Sequence, residues 1–278
     1  MKMINVGCGR HFHRDWINLD LMSGIPGVLK YDLRQGLPFD EGECDVIYHS
    51  HLLEHLTHEA GRRFLCDCFR VLKPGGILRV VVPNLEGIVR AYLASLQQAE
   101  ESGDLNNLNW MRIELIDQMV RVNSGGAMKE YICSGQLLNR DFVESRLGCE
   151  LLTAESTLSH RKTLFDRLCQ LPKKVHKLRR HLALMLVTIA DGKEGYTALR
   201  EGYFRQSGEV HRWMYDRVSL CHLLMEIGFR QAVPCTAVGS QIPSFNQYEL
   251  DAVAGQTRKP DSLFVEAVKP AIIGRQAA

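Results

Sequence analysis

The residues best suited to chemistry form one short run that is rich in histidine, His49-Ser50-His51-Leu52-Leu53-Glu54-His55. If this run turns as a helix, His51, Glu54 and His55 share one face, because residues three and four positions apart are neighbours there. In a functional interpretation, His51 or His55 accepts a proton near neutral pH. In a structural interpretation, Glu54 and His55 orient neighbouring loops while His51 lines a pocket.

The same run also spells H-x-x-E-H, which is the ligand motif of some zinc proteases. The sequence indicates no separate third ligand, so zinc proteolysis is not expected. A magnesium site is the other metal alternative, but a histidine at position 51 disfavours the all-oxygen ligand set that this cation prefers. We therefore expect no metal ligands.

A second group of candidate residues lies at positions 208–216. His211, Trp213 and Tyr215 alternate, so an extended segment would place all three on one side. An aromatic surface beside a histidine could stack on a sugar or a ring, whereas the alternative is that Trp213 and Tyr215 pack in the core. His211 is thus a further catalytic candidate.

The chain opens with a strand pattern, Met3-Ile4-Asn5-Val6, that runs directly into Gly7-Cys8-Gly9. Glycines at such a turn tolerate positive φ and let a ligand approach the backbone. The signal is weak by itself, because Phe12 stands where a dinucleotide fingerprint has its third glycine, and this disfavours a nicotinamide oxidoreductase. A second apolar strand that ends in Asp20 strengthens it, since a carboxylate there can bind two hydroxyls of a ribose.

The composition predicts a soluble enzyme: 278 residues, 45% of them hydrophobic, with a net charge of +2. This charge gives no global attraction to nucleic acid. The nine cysteines form no C-x-x-C pair, which favours reduced thiols in a cytosol. No signal peptide fits the N-terminus, and the longest apolar run, Leu182 to Ala190, is too short to span a bilayer. We expect a cytoplasmic protein.

Five strands and one helix must position these residues. The strands are predicted at residues 3–6, 16–21, 28–31, 44–50 and 77–83, and they are mostly apolar, as strands covered on both faces are. A helix is predicted from about His58 to Leu72, and Lys73-Pro74-Gly75-Gly76 ends it and turns into the fifth strand. Residues 7–15 are too few for a full helix, so a helix dipole cannot bind a phosphate there. This pattern predicts an α/β fold with a parallel sheet.

The rest of the chain divides into a helical region and a closing unit. Residues 94–206 are predicted as an inserted helical cap, and residues 1–93 with 207–278 as the main domain. A helix is expected at residues 218–227, closed by Gly228, followed by strands at 231–238 and 262–268. These last strands predict an antiparallel edge hairpin.

Five marks in order carry a resemblance to a known family. They are Asn5-Val6-Gly7-Cys8-Gly9, Asp20, Tyr31-Asp32-Leu33, Cys44-Asp45-Val46-Ile47-Tyr48 and Leu72-Lys73-Pro74-Gly75-Gly76. With them the chain resembles the class I S-adenosylmethionine-dependent methyltransferases, particularly the small type 11 group. The resemblance covers residues 1–93 and extends to the closing helix and hairpin.

The resemblance implies a Rossmann-like doubly wound sheet of seven strands, with S-adenosylmethionine over the carboxyl ends of the first strands. It implies that Gly7, Cys8 and Gly9 pack on the methionine part and that Asp20 holds the ribose. It also implies that Asp32 and Leu33 meet the adenine, and that His49 lies beside the cofactor after the fourth strand.

Two features depart from the family pattern. Asn5, a predicted cofactor contact, replaces an acidic residue, and the first helix is truncated. Relatives with a Glu-x-x-Glu-His run hold a metal, but this chain has His51 in place of the first glutamate.

The resemblance implies methylation of an oxygen on a small molecule or a glycan, with the cap contacting the acceptor. Residues 208–216 and 258–262 resemble a bacterial subgroup associated with surface-polysaccharide genes. The alternative is a non-catalytic, cofactor-binding scaffold of a glycan-assembly pathway, motivated by Asn5 and the truncated helix. The basic stretch 173–180 with the apolar residues 182–187 is either a solvated helix face or a peripheral membrane contact. Its charges carry no interleaved aromatic residues, so a nucleic-acid partner is not expected.

Overall fold

The computed structural model describes residues 1–21, 24–134, 137–148 and 171–271, with the side chains of 171–177 excepted. Its strands are β1 (Met3–Val6), β2 (Ile17–Asp20), β3 (Val28–Lys30), β4 (Cys44–Ser50), β5 (Leu72–Pro83), β6 (Arg230–Cys235), β7 (Ala252–Val253), β8 (Gln256–Thr257) and β9 (Ser262–Val268). Its α-helices are α1 (His58–Val71), α2 (Leu85–Ser102), α3 (Asn106–Val120), α4 (Gly126–Cys133), α5 (Arg140–Leu147), α6 (Leu171–Arg205) and α7 (Arg217–Ile227).

Seven of these strands form one mixed sheet in the order β3-β2-β1-β4-β5-β9-β6. The strands from β3 to β5 are parallel, and β9 runs antiparallel to both β5 and β6. All four residues of β1 are buried, as a strand covered on both faces requires. The predicted α/β class, the doubly wound sheet and the antiparallel edge hairpin are confirmed.

The direction of winding reverses between β1 and β4. From β1 the chain adds β2 and β3 on one side, and from β4 it adds β5 on the other. In such sheets the crevice outside the carboxyl ends of the two central strands is where ligands bind. Val6 pairs with His49, so the turn after β1 and the turn after β4 leave the sheet side by side.

Helices α1 and α7 cover one face of the sheet. Phe64, Leu65, Cys68 and Val71 are the buried positions of the last part of α1, at helical spacing. Thr57 caps α1 by accepting a hydrogen bond from the Ala60 N–H at 3.3 Å. The buried leucines of these helices each stabilise the fold by roughly 1.5–3 kcal/mol, and together they fix the helices against β1, β4 and β5.

The opposite face is covered by the long connection between β6 and β9. Residues 7–16 contain no helix, as the sequence predicts, so a first helix is not available to cover this face. Instead Ile242, Phe245 and Tyr248 pack against Trp16 and the neighbouring strands. The predicted loop between the last two strands is therefore a structural layer of the fold.

Arg79 anchors this connection from within β5. Its side chain is fully buried, and its Nε donates to Asp251 Oδ2 at 2.7 Å while Nη1 donates to Glu266 Oε1 at 2.6 Å. Its Nη2 also donates to the Thr236 carbonyl oxygen at 2.9 Å. Each charge in this network has a partner, as a buried ion pair requires.

Helices α2 to α6 contain the region predicted as the cap. Asn84 caps α2, which begins at Leu85 and runs through position 94, so the helical region starts before the predicted boundary. Ile88, Trp110, Met111 and Val143 form its separate core. The division into two units stays a prediction. Among the described residues, no helix has the length and apolar character needed to cross a membrane.

Two predicted boundaries are wrong. Lys73-Pro74-Gly75-Gly76 was predicted as a turn before the fifth strand, but β5 already begins at Leu72. The pairing with β4 shifts from Cys44–Leu72 to Val46–Ile77, so residues 73–76 bulge out of the ladder, where the Gly75 N–H donates to the Lys269 carbonyl oxygen at 2.8 Å. In addition, β3 ends at Lys30, and Tyr31 lies outside it.

Candidate functional site

The turn after β1 presents backbone to open space at the carboxyl edge of the sheet. Gly7 and Gly9 have φ values of 67° and 54°, which residues with a Cβ rarely adopt. A Cβ on Gly7 would lie 2.9 Å from the Leu52 side chain, whereas a Cβ on Gly9 would meet no atom within 4 Å. The first glycine thus permits close packing with the turn after β4, and the second leaves the backbone accessible.

Asp20 ties this turn to the end of β2. Its Oδ2 atom accepts a hydrogen bond from the Gly9 N–H at 2.8 Å. The Gly7 and Cys8 N–H groups both donate to the Leu19 carbonyl oxygen, at 2.8 and 3.2 Å. The predicted pair of glycine turn and carboxylate therefore meets in the structure.

A cleft of about 450 Å³, including its open mouth, lies beside the glycine turn. Gly7, Cys8, Tyr48 and Ser50 line its floor; its other lining residues are Asn5, His11, Val81, Leu250, Asp251, Arg258, Lys259 and Phe264. Asp20 is not part of this lining; its carboxylate is bound to Gly9, the residue that follows Cys8 in the chain.

The histidine-rich run forms a turn directly after β4. His51 has a left-handed backbone with φ of 51°, an unusual conformation for a side chain of this size. Its Nε2 atom lies 2.9 Å from Ser262 Oγ, and its Nδ1 atom lies 3.3 Å from Glu54 Oε1. His51 thus connects the strand next to the cleft with the carboxylate of Glu54.

Glu54 and His55 meet His211 on the α1 side of the sheet. Leu53–His55 is a 3₁₀ turn, and the Glu54 carbonyl oxygen accepts the Arg212 N–H at 2.7 Å. The rings of His55 and His211 lie edge to face, with their centroids 4.8 Å apart. One ligand atom from each of Glu54, His55 and His211 lies within 4.8 Å of the others. Two segments far apart in sequence are thereby joined.

One part of this chain is similar in sequence to known methyltransferases. A family model described as a methyltransferase domain matches residues 20–80. This match covers less than a quarter of the chain. Methyltransferases of this kind use S-adenosylmethionine, and a Mycolicibacterium smegmatis protein described as a probable S-adenosylmethionine-dependent methyltransferase is 39% identical over 100 residues. That match covers 30% of this chain and 38% of that protein, so the chain spans under half of its relative's length.

Solved structures with similar folds are also methyltransferases. One is an S-adenosylmethionine-dependent methyltransferase from Archaeoglobus fulgidus, 12% identical, covering 96% of this chain and 86% of that chain with a TM-score of 0.38. Another, from Mesorhizobium loti, is 17% identical and covers 31% of this chain and 48% of that chain with a TM-score of 0.24. The similarity to methyltransferases is therefore taken from the match over residues 20–80.

The residues in and beside the cleft offer groups that suit S-adenosylmethionine. Gly7 and Cys8 line the cleft, and because Gly7 has no side chain its backbone is open to a ligand. Asp20 presents a carboxylate at the end of β2. Arg258 and Lys259 add two cations to the wall. Asn5 is buried, and its Nδ2 atom donates to the His11 carbonyl oxygen at 3.1 Å, so it also shapes the loop that replaces the first helix.

Asp32 and Leu33 lie in the turn after β3. Asp32 caps the 3₁₀ turn Leu33–Gln35 by accepting the Arg34 N–H, and its carboxylate pairs with the Arg34 guanidinium at 2.6 Å. The side-chain hydrogen bond from Arg34 lowers the pKa of Asp32. The contact of Asp32 and Leu33 with adenine stays a prediction. The carboxylate of Asp32 already has a partner in Arg34.

His49 lies inside β4 and not after it, which corrects its predicted position. Its side chain is fully buried and packs edge to face on Phe64, with ring centroids 5.2 Å apart. Burial lowers its pKa to about 4. A residue on this face of β4 points away from the cleft, whose floor is made by its neighbours Tyr48 and Ser50.

The prediction of one aromatic surface at residues 211–215 is wrong. Trp213 is 43% exposed and lies against His58, whereas Tyr215 is buried in the core between α1 and the sheet. Tyr215 follows the structural interpretation of the sequence. His211 is buried as well, and only it joins the histidine–glutamate cluster.

Burial sets the protonation of this cluster. Burial lowers the pKa of His211 to about 3, so its imidazole is neutral at pH 7. Burial tends to raise the pKa of Glu54, but the hydrogen bond and charge of His51 outweigh it and hold that pKa at about 2. Burial, followed by the Glu54 charge, raises the pKa of Tyr215 to about 12. An ionised Glu54 carboxylate therefore lies near the neutral imidazole of His211 and the neutral hydroxyl of Tyr215.

The sequence analysis missed the network of Tyr48, Arg79 and Asp251 at the base of the cleft. The Tyr48 hydroxyl donates to Asp251 Oδ1 at 2.6 Å, and the same carboxylate accepts from Arg79. Tyr48 and Asp251 line the cleft. One signal was present, since Arg79 is a charge within the apolar run Ile77-Leu78-Arg79-Val80-Val81 and has to find a partner.

The basic stretch lies on α6, which is interrupted at Gly192 with φ of 65°. The side chains of residues 173–177 lie outside the described residues. Beyond them, Leu178, Leu182, Met185, Leu186 and Ile189 are all at least 50% exposed. Their spacing gives the helix an apolar stripe.

Proposed function

We propose that this protein transfers a methyl group from S-adenosylmethionine to an oxygen of a small molecule or a glycan precursor. One observation carries the proposal: the glycine turn and Asp20 meet at the reversal point of the sheet, beside a cleft, next to the segment that matches the methyltransferase domain. Ligands of doubly wound sheets bind at this place.

The residues around the cleft divide the work of binding. Gly7 and Cys8 pack on the methionine part, and Arg258 with Lys259 balances its carboxylate. Asp20 accepts hydrogen bonds from the ribose hydroxyls beside its bond to Gly9. Asp32 and Leu33 border the adenine. When bound, the cofactor supplies a methyl group on a positively charged sulfur.

His51 is the residue we propose as general base. Its Nε2 atom lies on the Ser262 side, next to the cleft, and its Nδ1 atom faces the carboxylate of Glu54. His51 accepts the proton that an acceptor hydroxyl loses as its oxygen takes the methyl group. Glu54 holds the ring in place and stabilises the imidazolium that forms, as carboxylates do beside catalytic histidines. His55 and His211 lie behind Glu54, where they support its position.

Isothermal titration with S-adenosylhomocysteine tests the binding part of this proposal. We expect one site per chain and a higher melting temperature with the ligand, because a ligand that binds only the folded state stabilises it. Absence of heat together with an unchanged melting temperature would contradict the proposal.

The second candidate is a scaffold that binds the cofactor without turnover. Asn5 favours it, since an amide that donates to the His11 carbonyl oxygen stands where the family has an acidic residue. The two candidates differ in product: a methyltransferase forms S-adenosylhomocysteine when a glycan-containing cell extract is added as acceptor, and a scaffold forms none. The methyltransferase proposal assigns the acceptor to the helical cap at residues 94–206.

A peripheral membrane contact would suit a lipid-linked glycan as acceptor. The apolar stripe on α6 supports this part of the proposal, because it follows a basic stretch that anionic lipid would attract. Co-sedimentation with anionic and neutral vesicles measures it, and equal recovery with both would speak against an electrostatic contribution.

A further inference from the structure

The cluster of Glu54, His55 and His211 has polar atoms that the fold leaves without partners. Neither carboxylate oxygen of Glu54 accepts a hydrogen bond of good geometry from the described residues, and the Nδ1 atoms of His55 and His211 have no partner among them either. Glu54 is fully buried and His211 is 5% exposed. The hydroxyl of Tyr215 is a further buried polar atom of this kind.

A buried polar atom without a hydrogen-bond partner lowers the stability of the folded protein. A buried carboxylate needs a cation, and the ion pair found for Glu54 is the 3.3 Å contact with His51. Arg79, by contrast, satisfies two buried carboxylates on the opposite face of the sheet. One possible ligand atom from each of Glu54, His55 and His211 lies within 4.8 Å of the others, which is the kind of grouping that a cation needs.

We propose that Glu54, His55 and His211 bind a divalent transition-metal ion, with Zn²⁺ as the best match. Two imidazoles and one carboxylate are a known ligand set for zinc and for other metals of the first transition row. Mg²⁺ and Ca²⁺ prefer ligand sets made of oxygen alone, so this site disfavours them. The sequence alone indicated no third ligand, so no metal was expected. In the structure, His211 supplies the third ligand.

The geometry needs only a modest closure around the ion. For bonds of about 2.05 Å, tetrahedral ligand atoms lie roughly 3.4 Å apart, compared with the 4.8 Å limit within which these atoms lie in the structure. The backbone is already held on both sides: the His211 N–H donates to the Gln118 carbonyl oxygen at 2.9 Å, and Glu54 accepts the Arg212 N–H. Rotation of the His55 and His211 side chains can bring the ligand atoms from within 4.8 Å to the shorter distance that the ion needs.

The ion would join the turn after β4 to the segment that leads from α6 into α7. The Nδ1 atom of His51 lies beside Glu54 Oε1, which leaves the second carboxylate oxygen to the metal. Three protein ligands also leave one coordination position for another oxygen. The site therefore stabilises the junction between the cap and the sheet, independently of whether methyl transfer occurs.

Metal content and titration of the full chain test this proposal. Protein purified without added chelator is analysed for bound metals, then stripped with a chelator and titrated with Zn²⁺, Mn²⁺ and Mg²⁺ in turn. We expect one tightly bound Zn²⁺ per chain, a melting temperature that rises by several degrees with Zn²⁺, and no response to Mg²⁺. Substitution with Co²⁺ is expected to give the visible absorption of a four-coordinate site.

Variants with amide side chains identify the ligands. His211→Gln and His55→Gln are each expected to weaken Zn²⁺ binding by more than about 100-fold, which exceeds the usual effect of a residue outside the ligand set. The matched control is His222→Gln, because His222 pairs with Glu226 at 3.1 Å on the surface of α7 and offers the same residue types. This control is expected to bind Zn²⁺ like the unchanged protein.

Two outcomes would overturn the proposal. One is an unchanged protein that neither retains a transition metal nor gives heat and thermal stabilisation with Zn²⁺. The other is a folded His211→Gln or His55→Gln variant that binds Zn²⁺ as tightly as the control. Titration with S-adenosylhomocysteine in chelator reports on the cofactor cleft separately, so a failure of the metal site and a failure of the proposed methyltransferase function are distinguishable.

Discussion

Two buried acidic networks lie on opposite faces of the same sheet edge. On the cleft side, Asp251 and Glu266 share the guanidinium of Arg79. On the α1 side, Glu54 has the contact with His51 and otherwise faces polar atoms without partners. The first network is complete within the chain and fixes the connection that covers the sheet. The second has the properties of a site that a ligand completes. His51 contacts the second network through Nδ1, while its Nε2 atom lies beside Ser262 at the start of β9.

The largest expected effect concerns this connecting residue. His51→Asn removes the base while an asparagine tolerates the left-handed backbone at this position. We expect the rate of S-adenosylhomocysteine formation with a cell extract as acceptor to fall about 10²- to 10⁴-fold. The affinity for S-adenosylhomocysteine, measured by calorimetry, should not change.

His222→Asn is the control, because His222 is an exposed histidine next to a glutamate. If His51→Asn weakened cofactor binding as much as turnover, His51 would contribute to cofactor binding and would not be a general base.

The second prediction concerns the completed network. Arg79→Met leaves two buried carboxylates without their cation, and we expect the free energy of unfolding to fall by about 3–5 kcal/mol. Urea denaturation followed by circular dichroism measures it. Arg63→Met is the control, since its pair with Glu59 is exposed and is expected to contribute less than about 1 kcal/mol. Equal effects of both variants would remove the distinction between a structural network and a surface pair.

The third prediction tests the binding role of the glycine turn and its carboxylate. Asp20→Asn removes the charge that accepts hydrogen bonds from Gly9 and from a ribose, and we expect S-adenosylhomocysteine to bind about 1.5–3 kcal/mol more weakly. Isothermal titration gives the value, with Asp191→Asn, an exposed aspartate of α6, as the control. An unchanged affinity would show that the turn is structural only.

The sequence predicts the cleft side and the α1 side unequally well. The glycine turn and Asp20 are local features at strand ends, so periodicity and residue type were enough to find them. His49 shows the limit, because one residue of register decides which face of β4 a side chain occupies. The meeting of His211 with Glu54 depends on the path of the chain through the helical region, which no local pattern specifies.

The same difference applies to the fold. The parallel strands and the closing antiparallel hairpin follow from apolar runs and turns, and they are confirmed. The covering layer between β6 and β9 was not predicted, because its residues bury side chains without a helix or strand period. Only the buried charge of Arg79 indicated that some later segment has to return and pair with it.

The smallest expected effect concerns the two hydrogen bonds that Asp251 accepts on the cleft side, one from Tyr48 and one from Arg79. Tyr48→Phe removes the hydroxyl that donates to Asp251 Oδ1 at 2.6 Å, while Arg79 continues to donate to Oδ2. Because the carboxylate keeps its cation, we expect a loss of about 1–2 kcal/mol in the free energy of unfolding. Combining this change with Arg79→Met in a double-mutant cycle gives the coupling between the two bonds. If the losses add without coupling, the tyrosine and the arginine act independently on Asp251, and the floor of the cleft is set by packing and not by a cooperative network.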